Sequence, residues 1–158
     1  MSPEECADIP WFTQVGSSCV LISLLNAALY HKMDAPRPGT PEFEELTDLI
    51  GSRYGAALEP DKAMEKLGLT AGLVDFHPDN FTEKLPVELS VSTEEWGFHS
   101  VLAIAVEWRG DDGACVLIAN LKKEEPLSWI PFSDLGNLLT FGLRIGGHVA
   151  ASIQPRNS

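Results

Sequence analysis

The stretch TQVGSSCVLISLLNAALYHK, residues 13–32, sets a polar segment with one cysteine directly against an almost wholly apolar run. Residues 20–29 are apolar at all but two positions, which predicts a buried central helix. Ser17 or Ser18 would cap this helix, because a serine hydroxyl accepts from the unpaired N–H groups of the first turn. Cys19 is therefore predicted at the first helical position.

Cys19 has two competing interpretations. A free cysteine is among the most buried residue types and usually packs as a small hydrophobe. At a helix N-terminus, however, the partial positive charge favours thiolate and is expected to lower the pKa of Cys19 from the free value of about 8.5. Catalysis of acyl transfer also requires a base, a group that orients that base and donors for the oxyanion. The rest of the sequence must supply these partners.

The composition is that of an ordinary globular protein, with 158 residues, 44% of them hydrophobic and 22% charged. This length predicts one folded domain at residues 11–154, preceded by a flexible segment at 1–10 and followed by a short tail at 155–158. The net charge of −12 disfavours nucleic acid and anionic membranes as partners. A peptide or protein substrate, and a basic one in particular, is favoured instead.

The sequence predicts a reduced, cytoplasmic protein without a cofactor. Its first residues lack the pattern of a signal peptide, and no apolar run reaches the roughly 18 residues of a membrane span. Three widely spaced cysteines suit free thiols, with Cys6 interpreted as incidental and Cys115 as part of the core. No metal is expected, because no histidine stands at ligand spacing to a cysteine or another histidine. No phosphate-binding loop is present either.

The periodicity changes from helical to strand-like near residue 69. Two further helices are predicted in the first half, from Pro41 to Gly51 or Gly55 and from 59 to Gly68. The second half contains strand-like segments: LTAGLVDF and LPVELSVS around a turn at HPDN, and a hairpin of FHSVLAIAVEW and ACVLIAN. The segment LSWIPFSDLGNLL is predicted as a strand end followed by a short helix, and GGHVAASIQP as a final strand. Helices followed by an antiparallel sheet predict the α+β class.

His99 is the best candidate for the base, because it stands near the start of a strand at which a pocket can reach it. Asn120 ends the next strand, and in an antiparallel hairpin that position lies near the start of the first strand. The two side chains share a face only if the loop has an even number of residues or a β-bulge intervenes, because side chains alternate along a strand. Gln14, just upstream of Cys19, is a candidate oxyanion donor together with the backbone N–H of Cys19.

These segments together resemble the papain-like cysteine peptidases, most closely the compact bacterial branch that includes the bacteriocin leader-processing, double-glycine peptidases. The matching pieces, spread over roughly residues 11–139, are QVGSSC, AMEKLGL, LPVELSV, HSVLAIAVE, CVLIAN and WIPFSDL. The chain departs from the family pattern in carrying Val20 where many relatives have glycine, and Asn-Leu at 120–121 in place of Asp-Pro. The gap from His99 to Asn120 is also long for the family.

The resemblance implies a papain-like fold, with N-terminal helices and a central helix that carries the nucleophile against a C-terminal antiparallel sheet. It also implies roles for four residues: Cys19 as nucleophile, His99 as general base and acid, Asn120 as the group that orients His99, and Gln14 as oxyanion donor. The implied function is hydrolysis of a peptide or other amide bond through a thioester on Cys19.

Two alternatives remain open at the level of the sequence. The same thiol and imidazole would serve a deamidase or an acyl or peptidyl transferase, because the acceptor is decided by access to the cleft. The chain would otherwise be a catalytically inactive papain-like domain that binds a peptide or partner protein, with Cys19 merely packed in the core.

Overall fold

The structure is a computed structural model that describes residues 2–13, 19–50, 60–140 and 150–156, without the side chain of residue 50. The described helices are α1 (Pro3–Ala7), α2 (Cys19–Tyr30), α3 (Pro41–Ile50), α4 (Pro60–Leu67), α5 (Pro78–Lys84) and α6 (Phe132–Leu138). The described strands are β1 (Leu69–Leu73), β2 (Val87–Thr93), β3 (Gly97–Trp108), β4 (Ala114–Ala119), β5 (Leu127–Pro131) and β6 (Ala150–Pro155).

The strands form one six-stranded antiparallel sheet in the order β1-β6-β2-β3-β4-β5. β3 is the longest strand and pairs with β2 along one edge and with β4 along the other. β6, which comes last in the chain, lies between β1 and β2. The middle of the sheet is therefore built from strands that are far apart in sequence.

Each face of the sheet carries its own hydrophobic core. Helix α2 is buried over most of its length and packs on one face against alternate residues of β3 and β6, such as Leu102 and Ile153. Phe81 of α5 and Leu135 of α6 cover the other face, against the residues of β2, β3 and β4 that point that way. The strands read as nearly continuous apolar runs because both faces of the sheet are covered.

This architecture confirms the predicted α+β class and the predicted arrangement of a buried helix against an antiparallel sheet. Helix α2 begins at Cys19, as the sequence predicts. None of the helices in the described ranges is long and apolar enough to cross a lipid bilayer.

A short helix, α1, lies within residues 1–10, the segment that we expected to be flexible. Ser2 and Glu5 form a reciprocal capping box that starts α1, so the short helix has its first N–H groups satisfied. Cys6, interpreted from the sequence as incidental, is fully buried in the core beside α2. The indole N–H of Trp11 donates to the carbonyl of Cys6 at 2.8 Å, which ties the following segment to this helix.

The HPDN segment, expected as a turn, begins helix α5 instead. Proline is well suited to the first helical position, and Pro78 occupies it. The imidazole of His77 accepts from the backbone N–H of Asp79 at 3.2 Å and so caps the helix. A proline after a capping side chain starts a helix as readily as it marks a turn, so the sequence pattern alone did not separate the two.

Candidate active site

The first turn of α2 holds the Cys19 thiol against the edge of β3. The backbone N–H of Ser100 bonds to the Cys19 sulfur, and the N–H groups of Cys19 and Val20 also favour its thiolate form. The N–H of Ser100 belongs to the peptide group that joins His99 to Ser100. The sulfur therefore lies directly beside the backbone from which the His99 side chain departs.

Burial outweighs these N–H groups at Cys19. The thiol is only 1% exposed, and removal from water raises its pKa. The negative charge that Glu88 can carry acts in the same direction. The expectation that the helix N-terminus lowers the pKa of Cys19 was therefore wrong in its net direction, although the helix N–H groups do act with the predicted sign.

His99 is held by a short hydrogen bond to the backbone of Asn120. Its Nε2 lies 2.6 Å from the Asn120 carbonyl oxygen. A carbonyl oxygen can only accept, so Nε2 carries a proton and donates it. In the neutral imidazole the remaining nitrogen, Nδ1, then has a free lone pair. This Nδ1 is buried and has no hydrogen-bond partner within the described chain, so it is available to take a proton.

Asn120 meets His99 through its main chain, whereas the sequence predicted its side chain as the orienting group. The pairing register of β3 and β4 shifts between Ala103 and Ala105. This shift is the β-bulge that the sequence analysis gave as one condition for His99 and Asn120 to share a face. Beyond β4, Asn120 adopts a left-handed conformation with φ of 65°. Asparagine tolerates this conformation better than most residues. The turn of the backbone directs the Asn120 carbonyl at the imidazole.

An aromatic ring covers the imidazole of His99. The Trp96 ring stacks on it with a centroid separation of 4.9 Å and an interplanar angle of 12°. The Lys123 ammonium lies 4.8 Å from the centroid of the Trp96 ring. His99 is only 1% exposed, and its burial lowers the pKa of the imidazole below its usual range. The carbonyl of Asn120 and the charge of Glu95 oppose that shift.

A chain of polar side chains lies beneath the first turns of α2. The hydroxyl of Ser100 is 2.7 Å from a carboxyl oxygen of Glu88 and 2.9 Å from the hydroxyl of Ser23. All three residues are buried. Burial raises the pKa of Glu88 to about 8, against the opposing effect of the Ser100 hydrogen bond. Sequence analysis missed Glu88 and Ser100, although a glutamate between Val87 and Leu89 in an apolar strand was a signal.

The other polar residue of the apolar helix, Asn26, has a structural role. Its side-chain oxygen accepts from the backbone N–H of Phe12 at 2.8 Å, and its amide donates to the Phe12 carbonyl at 3.1 Å. This pair of bonds fixes the chain just before the segment that leads to Cys19. Gln14, the predicted oxyanion donor, lies outside the described residues, as do Ser17 and Ser18.

At neutral pH the Cys19 thiol and the His99 imidazole are both uncharged, and the backbone N–H that follows His99 bonds to the sulfur. Burial raises the pKa of Cys19 and lowers that of His99, so both shifts favour the uncharged forms. A neutral imidazole with a free Nδ1 can take a proton from a thiol as the sulfur attacks an acyl carbon. The helix N–H groups beside the sulfur are placed to stabilise the negative charge that develops.

The sequence and the structure were compared with those of known proteins. No family model matches the sequence, and no curated protein matches it. A double-glycine-motif protease from an AMS/PCAT transporter, solved in complex with a leader peptide, is similar with a TM-score of 0.60 and 21% identity. The similarity covers 94% of this chain and 93% of that protein.

The peptidase domain of Streptococcus ComA, a bifunctional ABC transporter of a quorum-sensing pathway, is similar with a TM-score of 0.63 and 15% identity. The similarity covers 90% of this chain and 93% of that domain. The chain has a double-glycine peptidase fold. This confirms the papain-like resemblance inferred from the sequence. In this chain the helix that begins at Cys19 is α2, and the strand that carries His99 is β3.

Proposed function

We propose that the chain is a cysteine peptidase that hydrolyses a peptide bond through a thioester on Cys19. The observation that carries the proposal is the position of the Cys19 sulfur, bonded to the N–H of the peptide group that follows His99. The His99 imidazole has its Nε2 proton committed to Asn120 and its Nδ1 without a partner in the described chain. The double-glycine peptidase fold agrees with this assignment.

The reaction begins with transfer of the thiol proton of Cys19 to Nδ1 of His99 as the sulfur–carbon bond forms. The tetrahedral oxyanion is stabilised by the backbone N–H of Cys19, with Gln14 proposed as the second donor. The imidazolium then gives its proton to the leaving amine as the carbon–nitrogen bond breaks. Asn120 holds the imidazole in one tautomer through both steps, since its carbonyl accepts from Nε2 in each protonation state.

The thioester is released by water. His99 takes a proton from the water as it adds to the acyl carbon, and the carbon–sulfur bond breaks as the proton returns to Cys19. The products are a carboxylic acid and the regenerated thiol. The ring of Trp96 covers the imidazole throughout, which keeps bulk water away from the base.

A peptide is the proposed substrate. One structural neighbour was solved with a leader peptide bound, and we propose that this chain also binds a peptide next to Cys19. The net charge of −12 favours a peptide with basic residues around the cleaved bond. A cytoplasmic location remains part of the proposal.

Site-resolved alkylation tests the nucleophile, because the chain contains its own controls. Cys6, Cys19 and Cys115 are all buried, at 0%, 1% and 4% exposure. Faster labelling of Cys19 therefore cannot come from exposure. We expect iodoacetamide at about pH 6 to modify Cys19 at least tenfold faster than the other two, because in the proposed mechanism Nδ1 of His99 accepts the Cys19 proton as the sulfur reacts. The His99→Ala variant should lose that advantage.

The same experiment distinguishes the peptidase from a second candidate function. That function is peptide binding by a catalytically inactive domain of the same fold. It is favoured by the nearly complete burial of Cys19 and by the raised pKa of its thiol. That function predicts equal labelling of the three thiols, with no change in His99→Ala. Equal labelling would remove the peptidase proposal, and peptide affinity in the Cys19→Ala variant would then be the property to measure.

A further inference from the structure

The polar chain Glu88–Ser100–Ser23 joins the interior of the sheet to the helix that carries Cys19. We propose that Glu88 is a positioning residue for the reaction at Cys19. As a neutral acid it donates to Ser100 and leaves the sulfur free to ionise, and once ionised it opposes thiolate formation. This inference rests on the proposed function of Cys19 as nucleophile.

The number of protons available shows that the protonation state of Glu88 sets the direction of the hydrogen bonds between Glu88, Ser100 and Ser23. The Ser100 hydroxyl has one proton but two close oxygen partners, at 2.7 Å on Glu88 and 2.9 Å on Ser23. One of the partners must therefore donate to Ser100. A neutral Glu88 donates to Ser100, which then donates to Ser23. An ionised Glu88 can only accept, so the chain reverses, and Ser23 donates to Ser100.

The reversal matters for catalysis because Ser100 also contacts the nucleophile. The backbone N–H of Ser100 bonds to the Cys19 sulfur while its side chain bonds to Glu88. A single residue thus joins the buried carboxyl group to the thiol. Ser23 lies one turn beyond Cys19 on α2, so the hydrogen bond between Ser100 and Ser23 also contacts the helix that carries Cys19.

The described surroundings of Glu88 offer no cation to balance an ionised carboxylate. From α2, Cys19 is the titratable group that interacts with it, and from β3 its partner is the uncharged Ser100. Its paired residues on the neighbouring strands are the apolar Leu102 and Ala151. Its second carboxyl oxygen has no hydrogen-bond partner in the described chain. A negative charge here therefore acts on the thiol with little screening.

The test is the pH profile of Cys19 alkylation by iodoacetamide in the wild-type protein and the Glu88→Gln variant. Glutamine keeps the shape and the hydrogen bond to Ser100 but cannot ionise. We expect the ratio of the variant rate to the wild-type rate to rise between pH 7 and 9.5, to about tenfold, the change that one pKa unit produces. Glu65→Gln, which removes an exposed carboxylate of α4, is the matched control and should give a constant ratio.

The outcomes separate this inference from the proposed function. If wild-type Cys19 labels no faster than Cys6 and Cys115, the nucleophile assignment fails and the inference falls with it. If Cys19 is selectively reactive and the Glu88→Gln profile runs parallel to the wild type, only the role of Glu88 is overturned.

A direct titration keeps the inference testable if the glutamine variant does not fold. The ¹³C chemical shift of the Glu88 carboxyl in labelled wild-type protein should change above pH 7. A transition of that carboxyl between about pH 4 and 5, the range of an ordinary glutamate, would overturn the proposal.

Discussion

Asn120 acts on the candidate site through its backbone, and this makes glycine a better replacement than alanine. Its φ of 65° is comfortable for glycine but costs alanine about 1 kcal/mol. We predict that Asn120→Gly keeps the rate of Cys19 alkylation within about threefold of the wild type, while Asn120→Ala is about tenfold slower because the carbonyl moves from His99. The pseudo-first-order alkylation rate of each variant measures this.

A second non-glycine residue with positive φ provides the control. Lys32, exposed at the end of α2, has φ of 58°. Lysine already bears the Cβ cost of this conformation, so Lys32→Gly should keep or raise stability and leave the alkylation rate of Cys19 unchanged. If Asn120→Gly and Asn120→Ala are equally slow, the side chain of Asn120 orients His99 after all.

Glu88 should make the protein less stable as the pH rises. Its pKa is about 8 in the folded chain and near 4.5 in the unfolded chain, so between these values only the folded state binds the proton. Its contribution to the free energy of unfolding is full below pH 4.5 and falls by about 1.4 kcal/mol per pH unit up to pH 8. We predict that Glu88→Gln gains stability relative to the wild type over this range, as measured by urea denaturation at pH 5, 6, 7 and 8.

The test is how the difference in the free energy of unfolding between Glu88→Gln and the wild type changes with pH. A stability difference that is the same at every pH would mean that Glu88 has an ordinary pKa in the folded protein. The exposed Glu65→Gln variant should show little pH-dependent difference from the wild type.

The positions of Cys19 and His99 in their elements could be predicted from local sequence, whereas the contacts around them could not. An apolar helix places Cys19 at its start, and a strand places His99 near its start, because both depend on neighbouring residues. The link from Ser100 to Glu88 joins two strands and depends on their register. The use of the Asn120 carbonyl depends on a backbone angle that no side-chain pattern records.

At the scale of elements, Asn26 attaches the segment around Phe12 to α2. Its two hydrogen bonds to Phe12 leave both backbone groups satisfied in a partly buried position. We predict that Asn26→Ala lowers the free energy of unfolding by about 2–3 kcal/mol, because the Phe12 N–H and C=O lose their partner. Urea denaturation at pH 7 measures the loss.

Asn137 on α6 provides the comparison for this variant. Asn137 is exposed, so Asn137→Ala should change the stability by less than about 0.5 kcal/mol. A loss at Asn26 no larger than that at Asn137 would show that the two bonds to Phe12 contribute little.

The hairpin of β3 and β4 shows where element prediction reaches its limit. Its two apolar strands and the loop at 109–113 follow from composition and turn residues. The bulge beside Ile104 does not, because Leu102, Ile104 and Ala105 are all apolar and any of them suits either face. One inserted residue changes which side chains share a face, so the relation of His99 to Asn120 required the structure.

At the scale of the whole molecule, the negative charge should select among substrates. A chain with a net charge of −12 attracts cationic peptides, and dissolved salt weakens this long-range attraction by screening it. We predict that lysine-substituted peptides are cleaved with a higher kcat/KM than glutamate-substituted peptides of the same length, and that this preference shrinks between about 20 and 300 mM NaCl. Equal preference at both salt concentrations would remove charge as a determinant of specificity.

The order of the sheet also bears on how the protein is made. β6 fills the gap between β1 and β2, so a strand that follows all the other described strands in sequence completes the middle of the sheet. During synthesis, β1 and one edge of β2 wait without that partner until residues 150–155 emerge from the ribosome. Unpaired strand edges are templates for aggregation. The yield of native protein in a cell should therefore depend on how quickly residues 150–155 follow β1 and β2 during translation and on chaperones that cover the unpaired edges.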